Sequence, residues 1–140
     1  MTAVEDRAAS VLRLCAACAA AVFIEVLLYL SYRGHDARFH WLTHFLLGAA
    51  TALLFMAAWT WRTRRTARLP LAWVLLAHLY AMFPDVLFRF GAAHERWMEI
   101  FLGHISSHFI PGRNVTWLAV FAVALATYLL VIDRRVKIDG

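Results

Sequence analysis

The stretch WLTHFLLGAATALLFMAAWTW, residues 41–61, decides what kind of protein this is. Its 21 residues contain no Asp, Glu, Lys or Arg, and its single histidine, His44, lies near the start. About 20 largely apolar residues are needed to cross the hydrocarbon core of a bilayer as a helix, so the run reads as a transmembrane helix. Three further stretches qualify, at about 9–31, 70–90 and 115–132. The connections between them are too short for a soluble domain. The whole chain, 1–140, is expected to form one integral membrane domain, an all-α bundle of four transmembrane helices.

Composition agrees. Of 140 residues, 63% are hydrophobic and 16% charged, and the mean hydropathy is +0.65. These values lie far from soluble norms. The apolar run at 9–31 is too long for a signal-peptide core, contains Glu25, and lacks a small-residue cleavage pattern, which argues for a retained first helix.

Basic residues set the expected orientation. Arg62, Arg64, Arg65 and Arg68 crowd the second loop, Arg134, Arg135 and Lys137 follow the fourth helix, and Arg7 and Arg13 precede the first. The positive-inside rule then gives N-in and C-in, in a membrane of the bacterial inner (plasma) type. The net charge of +5 follows from topology and anionic lipid and gives no reason to propose nucleic acid as a partner. Membrane lipid is the expected partner. Trp59, Trp61 and Trp73 at one boundary, with Trp41, Trp97 and Trp117 at the other, fit interfacial belts.

With this topology, six of the seven histidines fall at the outer side, in GHDARFHWLTHF (34–45) and AHERWMEIFLGHISSHF (93–109). Neutral imidazole is the commonest protein metal ligand. His40 and His44 are spaced i, i+4, as are His104 and His108, so each pair can share one helix face. Asp85 and Glu25 are placed by rise per residue in the same outer layer, and ionisable groups at such depth are functional hypotheses by default. The segment 92–109 reads as an interfacial or re-entrant helix opened by Gly91 and closed by Pro111-Gly112. Pro84 is expected to kink the third helix one residue before Asp85.

The candidate metal ligands are therefore His40, His44, Asp85, His94, His104 and His108, with zinc the expected ion. They outnumber the needs of one tetrahedral ion, so two metals bind or some of the six orient the others. In an enzyme, metal-activated water would attack an ester or phosphoester presented from the membrane, with Glu25 or Glu99 as general base. Ser106 and Ser107 are weaker hydroxyl candidates, since no base pattern accompanies them. His35 reads as a loop residue and His78 as an interhelical hydrogen-bonding group. Cys15 and Cys18 read as small-residue helix packing.

A family resemblance adds to this. T-H-F-L-L-G at Thr43–Gly48, F-P-D at Phe83–Asp85, H-E-R at His94–Arg96 and G-H-I-S-S-H-F-I-P at Gly103–Pro111 resemble motifs of the YdjM-like inner-membrane proteins. That group is regarded as metal-dependent hydrolases similar to zinc phospholipase C. The resemblance implies metal-site roles for His44, Asp85, His94 and His108. It departs from the family at Leu87, where a second Asp stands in the P-D-x-D motif, and at H-E-R, which replaces H-R-G; the span from Asp85 to His108 is also compressed. The histidine spacings also resemble the boxes of membrane di-iron desaturases, but those face the cytoplasm. Bis-histidine haem ligation fails on depth, since His44 and His78 should lie about 10 Å apart along the membrane normal. Pro111–Arg113 resembles VanZ-like proteins, whose acidic residue in the next helix is Leu or Val here. From other classes, a non-catalytic metal-binding or transport protein, or a small structural membrane subunit, remains open.

Overall fold

The computed structural model describes residues 3–31, 35–93, 95–112 and 114–139, with side chains for 9–30, 40–93, 95–112 and 114–134. Four long helices follow one another: α1 (Ala3–Ser31), α2 (His35–Thr63), α3 (Pro70–Arg89) and α4 (Asn114–Asp139). All four are long and apolar enough to cross a membrane. The expected all-α bundle of four spans is the observed architecture.

The helices are not equivalent. α2 packs against both α3 and α4, while α1 touches α3. In its most apolar stretch α2 has 61% of its residues buried, against 6% for α1. Yet α2 has the lowest mean hydropathy of the four spans, 1.6, and α1 one of the highest, 2.3. The helix shielded by its neighbours can afford polar groups; the helix bathed in lipid cannot.

Close packing around α2 comes from small residues. Ala49, Ala50, Ala52 and Ala57 are buried, with Met56 and Leu53 filling the space to Ala124 and Tyr128 of α4. At Gly48 an added Cβ would lie 2.8 Å from the Cα of His78, so only glycine lets α2 and α3 approach here. Across the other interface Thr43 Oγ1 donates to the side-chain oxygen of Asn114, tying α2 to the start of α4. Large apolar side chains such as Phe23, Leu54, Phe55, Leu76, Val123 and Leu130 point outward, as a lipid environment requires.

Between α3 and α4 the expected helix over 92–109 is replaced by two short 3-10 helices, Arg96–Ile100 and Ser106–Phe109. The break lies at Leu102 and Gly103, both at positive φ (56° and 67°), a conformation that no α-helix continues through. The loop is pinned back onto the bundle. Tyr80 Oη of α3 donates to the Ile100 carbonyl at 2.9 Å, and Trp117 Nε1 of α4 donates to the Ser107 carbonyl at 3.1 Å. Helix α3 continues through Pro84 to Arg89.

Candidate metal centre

The loop brings His104 and His108 to the ends of α2 and α3 that carry His40 and Asp85. One ligating nitrogen from each of His40, His44, His104 and His108 lies within 4.8 Å of the others. Ligands about 2.1 Å from a tetrahedral metal would sit about 3.4 Å apart, so a contraction on the order of 1 Å closes this set on one ion. His44 and His104 are buried, and His40 is 31% exposed, which leaves one open flank.

The rings form a box. His44 stacks on His104 (centroids 4.5 Å, interplanar angle 4°) and His40 stacks on His108 (4.1 Å, 10°). The two stacks stand at right angles, with His40 and His44 at 73° and His44 and His108 at 82°. Asp85 adds a carboxylate. Its Oδ1 lies 3.0 Å from His40 Nε2 and 3.3 Å from His104 Nε2, and its Oδ2 lies 3.6 Å from His44 Nε2.

Proton positions show why this cluster calls for a cation. His104 Nδ1 is 3.2 Å from the Ala81 carbonyl oxygen, which can only accept, so Nδ1 carries the hydrogen. In the neutral ring Nε2 then bears a lone pair and faces the Asp85 carboxylate, which repels it. His40 Nε2 meets the same carboxylate and also His44 Nε2 at 3.1 Å, and a single N–H serves only one of those partners. One extra proton on His104 Nε2 would meet the Asp85 carboxylate as an imidazolium; a second imidazolium about 4 Å away would add a repulsion of about 4 kcal/mol at an effective dielectric of 20. A single metal cation meets the lone pairs and the carboxylate together. The Nδ1–H of His104 bonded to a backbone carbonyl is the device that orients a ligating imidazole elsewhere.

Two expected site residues are placed elsewhere. Glu25 does not join the histidine box: its carboxylate accepts from His78 Nδ1, with 2.7 Å to Oε2 and 2.9 Å to Oε1. His78 packs edge-on against Trp41 and Phe45, so this pair lies on the face of α2 next to the His40–His44 face. Rise per residue along α1 says nothing about the direction in which Glu25 points, and its partner His78 was expected about 10 Å from His44 along the membrane normal. His78 does bond to another helix, as its position implied. Glu99 also serves a local purpose, since its Oε1 accepts from the Ser106 backbone N–H at 3.0 Å and ties the two 3-10 helices together. Ser107 Oγ donates to the His104 carbonyl at 2.9 Å and holds the loop at the ligand. Ser106 is exposed.

Asp85 is where the sequence put it, among His40, His44 and His104. His94 and Arg113 lie outside the described residues, and the His35 side chain lies outside the described side chains. The part of Ala81 was not readable, because a backbone carbonyl leaves no mark in a residue pattern; Pro84, three positions on, was the nearby signal. No family model, curated protein or solved structure matches the chain.

Proposed function

We propose that this is a bacterial inner-membrane protein, N-in and C-in, whose histidine box holds a divalent transition metal, zinc in the first instance. We further propose that it is a metal-dependent hydrolase of a lipid ester or phosphoester at the outer face, in keeping with the YdjM-like resemblance. The observation that carries the metal reading is the convergence of four imidazoles and Asp85 at one end of the bundle. The partly exposed flank at His40 supports access from the interface.

With Glu25 and Glu99 engaged elsewhere, Asp85 is the carboxylate beside the four imidazoles that would accept a proton from water, were a metal held there to activate it. A lipid is favoured as substrate because the four imidazoles gather at the ends of helices long and apolar enough to cross a membrane. The test is turnover of phospholipid and of a chromogenic phosphoester by purified protein, before and after chelation and with zinc restored. Turnover abolished by chelation and by Asp85→Asn is the expected result. A metal-loaded protein inert toward both substrate classes would remove the hydrolase reading.

One observation favours a second reading, a closed non-catalytic metal site. Both glutamates that sequence offered as bases bond to other groups. A transport path receives no such support. His78 Nδ1 bonds Glu25, and among the described residues the box is the one group of three or more His, Cys, Asp or Glu close enough to share an ion.

A further inference from the structure

The opposite end of the bundle carries a site of different chemistry. At Arg64 the chain takes φ 59°, its N–H closing on the Thr60 carbonyl at 3.0 Å, and α2 ends. This turn folds the following residues back beside α2, and Pro70 then starts α3. Between them lies a cavity of about 380 Å³, within the range of ligand pockets, roughly 300–1,000 Å³.

Its walls divide sharply. Phe55 and Trp59 of α2 and Trp73 of α3 form an apolar side, with Phe55 and Trp73 in ring contact at 5.4 Å. All three belong to spans that cross the membrane, and each is about half exposed. Arg65, Thr66 and Arg68 form the opposite side. Neither arginine is paired with a carboxylate among the described residues. Two guanidinium groups offer planar donor forks suited to phosphate oxygens, and interfacial tryptophans sit at headgroup level.

We infer that this cavity binds an anionic glycerophospholipid of the adjoining leaflet, its phosphate held by Arg65 and Arg68 and its upper acyl region laid against Phe55, Trp59 and Trp73. A free phosphate would satisfy the arginines and leave the aromatic wall unused, so the lipid is the occupant. The site stands apart from the histidine box and does not depend on the function proposed for it.

The test is native mass spectrometry of the full chain released from vesicles of phosphatidylglycerol mixed with phosphatidylcholine. One phosphatidylglycerol per chain should be retained in preference to phosphatidylcholine, and inorganic phosphate should not displace it. At about 1 kcal/mol per basic residue near an anionic surface, Arg68→Gln should weaken retention about fivefold and the Arg65→Gln/Arg68→Gln pair on the order of thirtyfold. Arg134→Gln, at the same end on α4, should leave retention unchanged. The single variant is read if the double variant fails to fold. Equal retention of both lipids, displacement by phosphate, or an equal loss in Arg134→Gln would overturn the assignment, the last by showing diffuse surface charge.

Discussion

Two neighbouring faces of α2 hold imidazole in opposite ways. On the Trp41–Phe45 face, a single imidazole meets a single carboxylate, His78 Nδ1 donating to Glu25 at 2.7 Å while its Nε2 stays buried without a hydrogen-bond partner. On the His40–His44 face, four imidazoles converge with one ring nitrogen each within 4.8 Å of the others, and the Asp85 carboxylate lies beside them. Both combine imidazole with a carboxylate. What differs is the number of imidazoles gathered at one place, one against four, which makes the second a candidate cation site.

The comparison breaks most visibly at His44. His44→Ala or His104→Ala should reduce bound metal to background, a loss of at least a hundredfold in affinity, read by competition with a chromogenic chelator. Unchanged binding in either variant would show that the box is not the ligand set. Asp85→Asn keeps the shape and removes the charge; it should cost on the order of 10–100-fold in metal affinity. If affinity holds, Asp85 only hydrogen-bonds the rings.

Gly48→Ala sharpens the comparison from between the two faces. The new Cβ meets the His78 backbone at 2.8 Å, so α3 must move, at a cost of about 1–3 kcal/mol in unfolding measurements. Because α3 carries both His78 and Asp85, metal affinity should fall as well. The smallest effect belongs to Glu25→Gln, about 1 kcal/mol of stability, as for hydrogen bonds between membrane helices. Its metal content should match that of the unaltered protein; a loss of metal there would show that the two faces act as one site.

The fold was legible because hydropathy and length decide it, and both are properties of the chain alone. The His40–His44 pair was legible for the same reason: its i, i+4 spacing lies on a helix that forms. His104 and His108 have the same spacing but reach the box by another route. The chain between them and α3 turns through positive φ at Leu102 and Gly103, and the Ala81 carbonyl and Trp117 set its position. Spacing pointed to two residues that do converge with His40 and His44, but through a helix that is not there. Glu25 shows the converse limit. Counting residues along α1 does not give its facing, which depends on how α1 leans on α3, and a helix with so little of its surface buried has little in its pattern to reveal that.

X-ray absorption on tag-free protein purified without chelators shows whether the histidine box holds a metal. About one transition metal per chain is expected, with a nitrogen and oxygen shell at about 2.0–2.1 Å showing imidazole scattering, and no such signal in His44→Ala. A chain that purifies without metal and takes up none from zinc-buffered solution would contradict a metal site there.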